Sequence, residues 1–139
     1  MAIVSSLQSC DPYSRGYICN DTTEEIELLL AFDYDSLEQM TKKEYLTFFN
    51  DRTDSNAILL RVDTASMIGY YMLKSKTCAL IGHGMSGYPP LNLNHLQIRA
   101  NNKTLDFPKV NEDVKKFFKK EEKFKLGFGG DYYLKVEQD

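Results

Sequence analysis

The segment Ala57-Ile58-Leu59-Leu60-Arg61-Val62 constrains this chain more than any other. Alternation puts Ala57 and Leu59 on one face of a strand and Ile58, Leu60 and Val62 on the other. Both faces are then apolar, which is how a strand covered on both sides reads. The expectation is a central strand with an arginine near its end. An enclosed guanidinium needs compensation. One solution is an internal carboxylate, with Asp63 the nearest. The other is an anionic ligand gripped by the planar fork. Thr64 and Ser66 follow in a short loop whose hydroxyls and N–H groups could complete an anion cradle. His95 adds a donor on a later strand.

The rest of the chain supplies partners for such a strand. Asp11-Pro12 and Cys19-Asn20-Asp21 read as turns. Thr22-Thr23-Glu24-Glu25 fits a capping box and leads the reading toward a helix through Leu30, although Ile26, Leu28, Leu30, Phe32 and Tyr34 also alternate as in a half-buried strand. Asp35-Ser36 reads as a turn. Thr41 to Phe49 reads as a helix with Met40, Tyr45, Phe48 and Phe49 on one stripe, and Asn50 to Asn56 as a polar loop. Gly69 to Ser75 and Leu93 to Arg99 read as strands, Cys78 to Ile81 as a short apolar stretch, and Gly82 to Asn92 as an irregular loop. Leu105 and Phe107 suggest a short strand before Pro108. Asn111 is placed to cap a last helix with Val110, Val114, Phe117 and Phe118 as its stripe. Gly127 to Gly130 reads as a loop, and Tyr132 to Val136 as a final strand. This order predicts an α+β domain with a helix on each face of an antiparallel sheet.

Composition narrows the function. The chain has 139 residues, with 17 basic and 20 acidic side chains and a net charge of −3. That argues for one domain and against nucleic-acid binding through bulk charge. No apolar run reaches the roughly 18 residues of a membrane span, and the first residues lack the features of a signal peptide. The three cysteines, Cys10, Cys19 and Cys78, have no metal-ligand spacing. They read as reduced thiols in a cytoplasmic setting, with a Cys10–Cys19 disulfide as the alternative. No metal or cofactor is expected.

A resemblance sharpens the reading. Ile58-Leu59-Leu60-Arg61 resembles the arginine-bearing strand of SH2 domains, and Gly69-Tyr70-Tyr71-Met72-Leu73 the strand that follows it. Asn94-His95-Leu96-Gln97-Ile98-Arg99 is similar to the strand carrying that family's histidine, and Val110 through Phe118 to its second helix. The resemblance runs from about Ser36 to Asp139, leaving residues 1–35 as an N-terminal extension. It implies an SH2-like fold, a central antiparallel sheet flanked by two helices. It also implies a non-catalytic, monomeric module that binds tyrosine-phosphorylated proteins or peptides, in the cytoplasm or, for a secreted effector, in a host cytosol. Arg61, Thr64, Ser66, Lys42 (with Lys43 as its alternate) and His95 would hold the phosphotyrosine. Leu96, with Gly127 to Asp131 as facing loop, would contact a following residue. The sequence departs from the family in four ways. It has no tryptophan, and Asp63 stands where serine is usual. The stretch from Leu73 to His95 is longer than typical, and that from Arg99 to Val110 shorter.

Two other readings compete. One is an interaction domain whose Arg61 is paired internally. The other is a small hydrolase using Cys78 or Ser86 with His83 or His95. The spacing Gly84-Met85-Ser86-Gly87 lacks the nucleophile-elbow pattern. Lys115, Lys116, Lys119, Lys120 and Lys123 form a basic helix face, offset by Glu112, Asp113, Glu121 and Glu122, and read as a solvated surface.

Overall fold

The computed structural model describes residues 13–33, 41–86, 88–120 and 130–138. Within them the chain forms β1 (Tyr13–Asn20), β2 (Ile26–Phe32), α1 (Lys42–Asp51), β3 (Ala57–Asp63), β4 (Ile68–Leu73), β5 (Cys78–Met85), β6 (Leu93–Ala100), β7 (Lys103–Phe107), α2 (Val110–Phe117), β8 (Lys119–Lys120) and β9 (Gly130–Val136). The class is α+β. There are two sheets, ordered β3-β4-β2-β6-β7 and β5-β1-β9-β8. The first is antiparallel throughout, whereas β1 and β9 run parallel in the second.

Both sheets feed one core. Leu28, Leu30, Tyr71, Leu73, Leu96 and Ile98 from the five-stranded sheet join Ile18, Ala79, Ile81, Leu134 and Val136 from the other. The two described helices serve this same core. Tyr71 donates its hydroxyl hydrogen to the Phe49 carbonyl of α1 at 2.6 Å. Phe107, opposite the buried Leu96, meets Phe117 of α2 edge to face. A helix on each face of one sheet is therefore not what forms. The interior lies between two sheets, and the opposite face of the five-stranded sheet carries neither described helix.

Several local expectations change. The segment expected to be helical up to Leu30 is β2, because its alternating Ile26, Leu28 and Leu30 fill one face of a sheet. β2 lies between β4 and β6, so residues 26–32 sit inside the sheet rather than at its margin. The capping-box threonine has another task. Buried Asn20 donates to the Glu24 and Leu73 carbonyls at 2.7 and 3.0 Å, and its Oδ1 accepts from the Thr22 N–H and hydroxyl. This saturated amide fixes the corner where the chain leaves one sheet for the other. Cys19 and Asn20 end a strand and do not form a turn.

β5 continues through Gly82, His83 and Gly84, where a loop was expected. The glycines are there for space: a Cβ on Gly82 would lie 2.6 Å from the Pro90 carbonyl oxygen. The segment around Pro89 and Pro90 thus packs directly on strand backbone. α2 starts at Lys109 as N-cap, two residues before Asn111, and Asp113 accepts from the Lys109 N–H at 3.2 Å. α1 is capped by Thr41, whose hydroxyl accepts from the Glu44 N–H. Tyr34, Asp35, Ser36 and Met40 lie outside the described residues, as do Asp11-Pro12 and Gly127 to Gly129.

The cysteines are also corrected. Cys19 and Cys78, directly opposite on β1 and β5, form a disulfide. The expectation of reduced thiols fails, and the Cys10–Cys19 alternative fails with it. Cys10 lies outside the described residues. The argument for a cytoplasmic setting loses its chemical basis. Among the described residues no helix is long and apolar enough to cross a membrane.

Candidate functional site

Arg61 stands on an edge of the five-stranded sheet, not in its interior. The reason is one extra residue. Leu59 pairs with Tyr71 and Arg61 with Tyr70, so Leu60 is a bulge. A bulge breaks the alternation of faces. Ala57, Leu59 and Val62 turn toward the core, opposite Leu73, Tyr71 and Gly69, while Ile58, Arg61 and Asp63 turn outward, opposite Met72, Tyr70 and Ile68. Leu60 itself is 53% exposed. The apolar pattern on both faces of β3 thus reflects a bulge rather than burial on both sides.

The guanidinium lies over the Tyr70 ring, 3.7 Å from its centroid. This contact holds the guanidinium against the ring face. The expected internal partner is otherwise engaged. Asp63 accepts from the backbone N–H groups of Ala65 and Ser66 at 3.1 and 3.2 Å, closing the β3–β4 turn. No carboxylate among the described residues forms an ion pair with Arg61. Thr64 and Ser66 occupy that same turn and are exposed. The turn ends at Met67, which adopts φ 56° while its side chain is buried.

Register carries the outward face across the whole sheet. Arg61, Tyr70, Leu29, Gln97 and Asp106 form one continuous row over β3, β4, β2, β6 and β7. Asp63, Ile68, Ala31 and His95 form the next row toward the β3–β4 turn. His95 is therefore on the same face as Arg61, but three strand spacings away, roughly 14 Å. Its Nε2 is hydrogen-bonded to Asp106. The two residues do not close on one phosphate. Lys42 opens α1, whose apolar side faces the core and not this face, so it does not complete the pocket either. Leu96 is 1% exposed and belongs to the core, because its register opposite Leu30 and Phe107 points it inward. Its expected facing residue Asp131 is paired with Arg15 across β1 and β9 instead. Of the expected phosphate residues, Thr64 and Ser66 lie in the turn that follows Arg61, while Lys42 and Lys43 lie on α1 and His95 three strands away.

Sequence reasoning passed over Tyr70, Leu29, Gln97 and Asp106 as parts of this face. The period-two positions of each strand are visible in the sequence, but the order of the strands is not. The hydrolase alternative loses its thiol, since Cys78 is tied to Cys19. His83 is hydrogen-bonded to the Tyr13 hydroxyl, and Ser86 Oγ accepts from the Tyr88 N–H. No group of three or more His, Cys, Asp or Glu side chains able to hold a metal occurs among the described residues. Comparison of the chain with protein-family models, with curated proteins and with solved structures returned no match.

Proposed function

We propose that the protein is a non-catalytic binding module whose ligand is a peptide bearing an anionic aryl ester, phosphotyrosine first of all, laid over the outward face of the five-stranded sheet. The observation that carries this reading is the Arg61 fork, over the Tyr70 ring at 3.7 Å and without a carboxylate partner among the described residues. A bidentate anion is the natural complement of such a fork. The Thr64 and Ser66 hydroxyls stand in the adjoining turn. Tyr70, Leu29 and Ile58 offer apolar surface to residues flanking the anion, and β3 leaves one strand edge open among the described residues, where an extended peptide can add its own backbone. The SH2-like assignment belongs to this proposal. The succession of helix, arginine strand, tyrosine-rich strand, histidine strand and helix supports it. The position of β2 between β4 and β6, and the packing of both described helices on one face of that sheet, make any such member divergent.

The disulfide widens the choice of anion. Disulfides persist in oxidising compartments, where a sulfated tyrosine offers a similar aryl ester with three oxygens. Fluorescence anisotropy with one degenerate peptide library in phosphotyrosine, sulfotyrosine, phosphoserine and unmodified forms tests the reading. Saturable binding of an aryl ester form alone is expected, with the preferred ester naming the source. Arg61→Ala should weaken it at least tenfold, while shifting unfolding stability by no more than about 0.5 kcal/mol, as at other exposed sites. Equal binding of all four forms, or full binding by Arg61→Ala, would overturn it.

A further inference from the structure

The cavity of about 670 Å³ at the other sheet is separate from Arg61. It lies on the side of β8 where α2 ends. Lys119 and Lys120 pair antiparallel with Tyr133 and Tyr132, so it is the end of α2, not a strand, that lies toward Leu134. The edge of β9 from Leu134 onward then has no strand beside it among the described residues, and Leu134 and Lys135 line the opening left behind. The size is within the range of small-molecule sites, about 300–1,000 Å³.

The walls are of two kinds. Phe117, which is 47% exposed, Tyr133 and the Cys19–Cys78 disulfide supply apolar surface. Tyr133 is held in place by stacking on Tyr17, with centroids 5.2 Å apart, and the disulfide fixes β1 to β5 beside it. Lys119, Lys120 and Lys135 supply positive charge. Arg15, on the same outward face, is unsuited to a ligand because Asp131 holds it at 2.7 Å, and this hydrogen bond raises its pKa further. Asp21 and Glu137 line the cavity where β1 and β9 end, about four residues, or roughly 13 Å, along β9 from the Lys119 position. They would repel a second negative group.

We propose that this cavity binds a small monoanion with an apolar body, an alkyl or aryl carboxylate, whose head group lies between Lys119 and Lys135 and whose body rests on Phe117, Tyr133 and the disulfide. The two lysines recognise the charge, the exposed ring and sulfur surface accept the body, and the carboxylates at the far end exclude dianions of the same length.

Titration of the full-length, oxidised protein with octanoate, followed by ¹H–¹⁵N correlation spectra, tests this. Octanol, octylamine and octanedioate are run beside it. Saturable shifts at Tyr133 and Lys135 are expected with octanoate, with at least tenfold weaker binding of the other three. Lys119→Gln with Lys135→Gln should weaken octanoate at least fivefold. Both lysines are exposed, and thermal melts check that the variant folds. Arg61→Ala should leave octanoate binding unchanged, which separates this site from the peptide face. Equal affinity for octanol, full affinity in the double variant, or no saturable shift in the wild type would overturn the proposal.

Discussion

Tyr71 shows how much one side chain does in this fold. Its ring lies over Gly69, where an added Cβ would come within 2.6 Å of it, and its hydroxyl reaches across to the last turn of α1. Glycine at 69 is thus required by the ring of a tyrosine two residues later. Burial raises the ionisation of Tyr71 well above its usual value of about 10. Tyr132 moves in the same direction for the same reason. In the folded state these phenols keep their protons at pH values where the unfolded chain loses them. Stability is therefore fully present below about pH 10 and falls as pH rises beyond it. Tyr71→Phe should cost about 1–2 kcal/mol at pH 7, since the Phe49 carbonyl loses its buried donor. It should also flatten the alkaline decline. Urea unfolding at pH 7, 9.5 and 10.5 checks both. An equally steep decline in the variant would show that Tyr71 is not the group responsible.

Among the elements, β3 decides whether the candidate site exists. Its limits, Ala57 to Asp63, were nearly legible, as were those of β4, β6 and α1, because each has a clear period and polar or turn-forming flanks. The bulge was not legible. A run of four apolar residues gives no sign of which one is extra, and skipping Leu60 reverses the face to which Arg61 belongs. Strand order was hidden for a related reason: β2 enters the middle of the sheet through pairings with residues about 40 and 70 positions away, and no local pattern encodes them. The bulge makes a direct prediction. Leu60→Ala should change stability by less than about 0.5 kcal/mol, because the side chain is exposed. Deleting Leu60 should restore strict alternation with Arg61 still opposite Tyr70 and facing outward, so its urea midpoint should stay close to that of Leu60→Ala. Comparing the two urea midpoints tests this. A much lower midpoint for the deletion would mean that Leu60 is not the extra residue in the pairing of β3 with β4.

At the scale of the molecule, the two sheets share a core, but each is tied together differently. The five-stranded sheet rests on hydrogen-bonded ladders and the helices beside it. The four-stranded sheet gathers strands from both ends of the chain, and β1 must find β5 and β9 at long range. The Cys19–Cys78 bond joins residues 59 apart on the first of these pairs. In the chain-entropy account, closing a loop of that length removes about 4 kcal/mol of freedom from the unfolded state, and measured values for such bonds commonly run lower, about 2–4 kcal/mol. Reduction, or Cys19→Ser with Cys78→Ser, should therefore lower the unfolding free energy by about 2–4 kcal/mol and leave the five-stranded sheet's contacts in place at low denaturant. Arg61-dependent peptide binding should survive, since the bond lies in the other sheet, while octanoate binding should weaken as its floor loosens. The same experiment can verify the bond itself. Of the three cysteines, two are paired, so alkylation of the unfolded, unreduced chain should modify one thiol, that of Cys10. Modification of all three, or a urea midpoint indifferent to reductant, would remove the disulfide and with it the argument for an oxidising compartment. The choice between phosphate and sulfate at Arg61 would then return to the reducing side of the cell.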